Sequence, residues 1–132
     1  MNAESMPFGR HLLADLHGVA PEMLNQPELI EKFLLEAAHA AGATPIFSKF
    51  HHFGGDHGVT GVLLLRESHI SIHTWPEHGF AAVDAFMCGA CRPDIAIDIL
   101  QRAFQPLETR IQQVLRGELT SHDVECKRQM IR

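Results

Sequence analysis

Apolar residues recur at helical spacing in two stretches of the chain and alternate with polar ones almost everywhere else. Leu29, Ile30, Phe33, Leu34, Ala37, Ala38 and Ala41 fall on one face of a helix that opens at Pro27. There the missing proline N–H costs nothing, and Gly42 is placed to stop the helix. A second helix is predicted from Pro93 to about Phe104, with Ile95, Ile99, Leu100 and Ala103 as its apolar face. The segment from Gly9 to Gly18 is short and bounded by glycines, which favours a strand. Strands are also predicted over Thr44–Phe53, Val59–Arg66, Ser68–Trp75, Phe80–Cys88 and Glu108–Leu115, with Gly54–Gly58 as a loop. In Ser68–Trp75, Ile70 and Ile72 point one way and His69, Ser71, His73 and Trp75 the other. In Phe80–Cys88, Phe80, Ala82, Asp84, Phe86 and Cys88 share a side.

The order strand, helix, several strands, helix, strand, with hairpin-length connections in the middle, predicts an α/β (α+β) fold. It is a two-layer sandwich, a mostly antiparallel sheet with two helices covering one face. The uncovered face then carries Ser71, His73, Trp75, Asp84, Phe86 and Cys88, a polar and aromatic mixture that points to a site, a partner or both. With 132 residues the chain is read as a single domain over 1–132, without linker or repeat. Residues 1–8 and the tail beyond Gly117 read as loose ends.

Charge and cysteine usage narrow the function. A net charge of −5 argues against nucleic acid as a partner, because phosphate binding needs a concentrated basic surface. Three cysteines without framework spacing read as reduced thiols, which places the protein in the cytoplasm. Met1–Ser5 lacks the charged and apolar regions of a signal peptide, and no apolar run reaches membrane-spanning length.

Ten histidines raise the question of metal. His69 and His73 are four apart on a strand, about 13 Å and too far for one ion. His51, His52 and His57 flank the glycine loop, but no cysteine or acidic partner has ligand spacing there. Cys88-Gly89-Ala90-Cys91 is a single CxxC, and no metal site is expected. A serine hydrolase is disfavoured because Gly-x-Ser-x-Gly is absent. A third chemistry acts on the chain itself. A serine just after a strand can attack the carbonyl of its preceding residue, here Glu67, and the ester so formed can eliminate when a base takes the serine α-proton. A histidine on the same strand face is a candidate base.

Glu67-Ser68-His69-Ile70-Ser71-Ile72-His73-Thr74-Trp75-Pro76-Glu77, followed by Ala81-Ala82-Val83-Asp84-Ala85-Phe86-x-Cys88-Gly89, closely resembles the prokaryotic S-adenosylmethionine decarboxylase proenzymes of the short (class 1B) type. Gly9-Arg10-His11-Leu12, Gly42-Ala43-Thr44, Phe50-His51-x-Phe53 and Gly58-Val59-Thr60-Gly61-Val62 extend the likeness over roughly residues 8–116. The resemblance implies a zymogen that cuts itself between Glu67 and Ser68 into a β chain, 1–67, and an α chain, 68–132. Ser68 becomes a covalent pyruvoyl cofactor that forms a Schiff base with the substrate. It also implies His73 as the proton acceptor of processing, Thr60 as a helper of cleavage, and Cys88 as the proton donor to substrate. Phe53 then lies near the adenine and Glu77 at the ribose hydroxyls. The family further implies a homo-oligomer, a dimer of αβ pairs with sites near the subunit interface.

General chemistry agrees. Decarboxylation needs an electron sink, the chain has three lysines with no phosphate cradle for pyridoxal phosphate, and a thiol, mostly protonated at neutral pH, can donate a proton. A carboxylate accepts both ribose hydrogen bonds, and a sulfonium favours aromatic faces. His78 and Phe80 stand where the family often has tyrosines, and Met87 where it often has threonine. The expected reaction is decarboxylation of S-adenosylmethionine for spermidine synthesis. The alternatives are the same chemistry on L-arginine or L-ornithine, or an unprocessed paralogue that only binds.

Overall fold

A computed structural model describes residues 7–117; residues 1–6 and 118–132, including the predicted loose tail and most of the loose start, lie outside the described residues. Among the described residues six strands form one sheet: β1 (Gly9–His17), β2 (Pro45–His52), β3 (Val59–Leu65), β4 (Ser68–Trp75), β5 (Phe80–Cys88) and β6 (Glu108–Arg116). Helices α1 (Pro27–Ala40) and α2 (Pro93–Phe104) complete the fold. The strand order is β2-β3-β4-β5-β1-β6, and every neighbouring pair is antiparallel. Strands β2 to β5 are a meander, and β1 is inserted between β5 and β6.

Both helices lie on one face, against each other, with α1 over β2 and β3 and α2 over β1 and β5. The face they cover is built by alternate residues: Leu12, Ala14 and Leu16 of β1, Leu63 and Leu65 of β3, Ile70 and Ile72 of β4, and Val83, Ala85 and Met87 of β5 are buried. Each large apolar side chain fully buried here contributes roughly 1.5–3 kcal/mol. Proline stands at the first turn of each helix, and Gly42, at φ 81°, ends α1 in the left-handed conformation that glycine adopts without strain.

The buried stripe of α2 differs from the expected one. Pro93, Ala96, Ile97, Leu100 and Phe104 are buried, while Ile95, Ile99 and Ala103 are only half-buried. The helix is turned so that Phe104 meets Phe33 of α1 edge to face, centroids 5.2 Å apart, a contact between helices that periodicity within α2 does not encode. Single turns of 3-10 helix at Pro21–Met23 and Pro76–His78 were not expected either. Among the described residues Thr74 is the buried polar one: its hydroxyl donates to the Leu24 carbonyl at 2.6 Å and accepts the Val59 N–H at 2.8 Å, tying the end of β4 to β3 and to the segment before α1.

Candidate active site

Only Arg66 and Glu67 separate β3 from β4, because Leu65 pairs with Ser68 across the hairpin. This turn is fastened from the side. Arg66 N–H donates to the Thr44 carbonyl at 2.9 Å, and Thr44 N–H donates to Glu67 Oε1 at 2.9 Å. Ser68 has φ 142°, a region that residues with a side chain rarely enter and that costs about 1–3 kcal/mol. The Glu67 carbonyl oxygen, one bond before it, accepts two hydrogen bonds from Cys88, from the backbone N–H at 3.1 Å and from the thiol at 3.2 Å. A strained serine therefore follows a carbonyl whose oxygen already faces two donors, where negative charge would form if a nucleophile added to it.

At the other end of β4, His73 pairs with Thr60 of β3, and His73 Nδ1 lies 3.3 Å from Thr60 Oγ1. These two line a hollow of about 390 Å³ with Phe53, Trp75 and Glu77. Phe53 reaches it because the Gly54–His57 turn closes with Phe53 N–H on the Gly58 carbonyl, and Gly58 passes so near the Thr74 carbonyl that a Cβ there would collide with it. Trp75 stacks on Phe80 at 5.3 Å.

The predicted residues thus fall into two groups. Glu67, Ser68 and Cys88 meet at one end of β4, while Thr60, His73, Phe53 and Glu77 meet at the other. Five residues of strand put Ser68 and His73 of one chain roughly 16 Å apart. A base must come within hydrogen-bond reach of the proton it takes, so a single chain does not assemble both groups.

Between the two ends, on the face without helices, Asp84 and Ser71, which alternation had placed there without a role, form a cluster with His11 and His69. The Asp84 carboxylate accepts from His11 Nε2 at 2.6 Å, from His69 Nε2 at 3.1 Å and from the Ser71 hydroxyl. Burial raises the Asp84 pKa, but the hydrogen bonds from Ser71, His11 and His69 outweigh it and hold the carboxyl below its ordinary range. The signal was the shared parity of His69, Ser71 and Asp84; the partner from β1 was not visible without the sheet order.

His11, His69 and Asp84 are spaced closely enough to hold a metal ion. Arg116 argues for protons instead, because its guanidinium sits 3.2 Å from His11 Nδ1 and can only donate. Nδ1 is then the acceptor and Nε2 carries the hydrogen that Asp84 receives, whereas a neutral histidine binding metal through Nε2 must carry its proton on Nδ1. Cys91 is buried and donates to the Gly42 carbonyl at 3.4 Å; burial first, then Glu67 and Cys88, push its thiol pKa up.

A family model described as S-adenosylmethionine decarboxylase matches residues 10–117, and the chain belongs to that family. Among its relatives, it is 44% identical over 115 residues to the S-adenosylmethionine decarboxylase proenzyme of Brevibacillus brevis, covering 86% of each chain. It is 42% identical over 118 residues to the proenzyme of Methanococcus maripaludis, covering 89% of this chain and 96% of the relative. The crystal structure of the adenosylmethionine decarboxylase from Aquifex aeolicus superposes with a TM-score of 0.79 at 40% identity, covering 88% of this chain and 96% of that one. No described helix is long and apolar enough to cross a membrane.

Proposed function

We propose that the protein is a cytoplasmic, self-cleaving, pyruvoyl-dependent decarboxylase of S-adenosylmethionine, of the short class 1B type, which makes the aminopropyl donor for spermidine synthesis. The observation that carries this reading is the Glu67 carbonyl held by both donors of Cys88 beside a strained Ser68. Ser68 Oγ adds to the Glu67 carbonyl carbon, the C–N bond to Ser68 breaks, and the two residues become joined by an ester. His73 takes the Ser68 α-proton, and the Glu67 carboxylate leaves from the serine Cβ. Tautomerisation and addition of water then release ammonia and leave a ketone at the new N-terminus. The pyruvoyl group supplies the electron sink that decarboxylation of an amino acid requires. Cys88 then gives its proton to the carbon that carbon dioxide has left.

The separation of Ser68 from His73 supports a site shared by two copies. The face without helices exposes Leu13, Val62, Leu64 and Trp75, an apolar surface suited to a second copy. A two-fold axis near Asp84 would set the Ser68 end of one β4 against the His73 end of the other. Thr60 then steadies the partner's cleavage, and Phe53 and Glu77 receive adenine and ribose across the interface. The cut leaves β1 to β3 on the β chain and β4 to β6 on the α chain. β1 is held between β5 and β6, and β3 pairs with β4, so the fragments stay together.

The His73 hollow offers the faces of Phe53 and Trp75, on which an adenine can stack, and arginine and ornithine have no such ring to place there. Release of labelled carbon dioxide from the three carboxyl-labelled substrates tests this. Turnover of S-adenosylmethionine alone is expected, and turnover of only a basic amino acid would overturn the assignment.

A further inference from the structure

β5 ends at Cys88, and Gly89 and Ala90 form the tight turn that leads to Cys91 and on to α2 at Pro93. Gly89 has φ 67°, a left-handed conformation that lets the chain reverse there without strain. A four-residue turn keeps its first and last Cα atoms within about 7 Å. A disulfide spans Cα separations of about 4.4–6.8 Å, the separation that such a turn imposes on Cys88 and Cys91.

Both thiols are also turned toward one small region. The Cys88 thiol donates to the Glu67 carbonyl at 3.2 Å, and the Cys91 thiol donates to the Gly42 carbonyl at 3.4 Å. Those acceptors are joined through Thr44, whose carbonyl takes the Arg66 N–H and whose own N–H reaches Glu67 Oε1, both at 2.9 Å. Arg92 N–H donates to the Ala41 carbonyl at 3.0 Å, which holds the Cys91 end of the turn against the same loop. Burial is the larger reason that the Cys91 thiol pKa is raised. Charge on Glu67 and on Cys88 adds to it, as charges do when they lie close by. Cys88 is half-buried and Cys91 is buried, so a reagent from solvent meets Cys88 first.

We propose that Cys88 and Cys91 are a redox pair: a peroxide oxidises Cys88, Cys91 closes a disulfide onto it, and a dithiol reopens the bond. The pair goes beyond the decarboxylase reading, and only its consequence for activity rests on that reading. In the first step the Cys88 sulfur attacks a peroxide oxygen, an S–O bond forms, the O–O bond breaks and water leaves. In the second step the Cys91 sulfur attacks the Cys88 sulfenic acid, the S–S bond forms and the oxygen leaves as a second water. Two thiols have then lost two protons and two electrons, and the peroxide has taken them. A bridged Cys88 has no proton to give to substrate, so decarboxylation stops while the bond stands. The bridge also protects Cys88 from oxidation to the sulfinic acid, which thiols do not reverse. Both cysteines follow position 68, so the bond forms within one fragment of the cut enzyme.

The third cysteine, Cys126, lies outside the described residues, and Cys126→Ser serves as the parent enzyme. The self-cleaved parent is treated with hydrogen peroxide, then with dithiothreitol, and carbon dioxide release is followed. At each stage the peptide carrying Cys88 and Cys91 is read by tandem mass spectrometry after blocking with iodoacetamide. Peroxide is expected to leave both cysteines unblocked and the peptide lighter by about 2 Da, two hydrogens, while activity falls at least about tenfold. Dithiothreitol should restore both thiols and the activity. Cys91→Ala in the same parent should start from the parent's activity. Under peroxide its Cys88 should gain about 32 Da, two oxygens, and its activity should not return with dithiothreitol.

Oxygen on Cys88 of the parent, in place of the loss of hydrogen, would overturn the proposal. So would recovery of Cys91→Ala by dithiothreitol as complete as that of the parent. If Cys91→Ala does not fold, the parent peptide decides alone: a reversible loss of two hydrogens supports the pair, and two blocked or oxygenated cysteines refute it. A parent that never releases carbon dioxide would refute the decarboxylase reading, while the mass of the peptide still tests the pair.

Discussion

Ser68→Ala and His73→Ala, each unable to cleave when expressed alone, are expected to restore cleavage when they are expressed together. The reason is the roughly 16 Å of strand between the two residues in one chain. In a mixed pair of chains, Ser68 of the His73→Ala copy faces the intact His73 of the Ser68→Ala copy, and one complete site results. Random pairing puts about half of the His73→Ala chains in such mixed dimers. About half of them should therefore be cut, and none of the Ser68→Ala chains. Distinguishing tags on the two chains make this visible on a denaturing gel. If no chain is cut in the mixture, the processing base acts within one subunit or is a different residue.

Substitution of Cys88 is expected to have the next largest effect, and to separate the two reactions. Its thiol contacts the Glu67 carbonyl in the uncut chain and is assigned to protonate the substrate later. Cys88→Ser keeps a hydroxyl donor and the backbone N–H, so self-cleavage should persist. A serine hydroxyl is a far weaker acid than a thiol, and decarboxylation should fall by about 10²–10⁴, the range a positioned general acid contributes. Cys88→Ala also removes one donor from the Glu67 oxygen and should slow cleavage by about 10²–10³. Wild-type turnover by a cleaved Cys88→Ser enzyme would remove Cys88 from the role of acid.

The layering of the fold was legible because each half-buried strand writes its alternation into the sequence. Ile70 and Ile72 against His69, Ser71 and His73 is such a record, and β4 and β5 present the faces it predicts. What alternation within a strand cannot report is which strands become neighbours. The insertion of β1 between β5 and β6 brings His11 to Asp84, which does not follow from local pattern. The orientation of α2 was misread for a similar reason. Ile95, Ile97 and Ile99 are equally apolar, and the contact of Phe104 with Phe33 chooses among them.

The candidate site was legible as a motif and not as a geometry. Glu67, Ser68, His73 and Cys88 lie within a short stretch of sequence, which suggests one compact constellation. An extended strand converts that nearness into distance, so Ser68 and His73 end at opposite limits of β4. Cys88 returns to Glu67 only because β5 runs back antiparallel beside β4. Trp75 and Asp84 were placed on the uncovered face by alternation but given no role, because their partners lie on neighbouring strands or beyond the end of their own.

The most direct test of self-cleavage is the intact mass of the purified protein under denaturing conditions after incubation at neutral pH. Two fragments are expected in place of the 14.7 kDa chain. One should end at Glu67, and the other should begin at position 68 and be lighter by one ammonia than its sequence. A single chain of full mass, or a second fragment whose N-terminal serine keeps its amine, would contradict the conversion of Ser68 into a ketone.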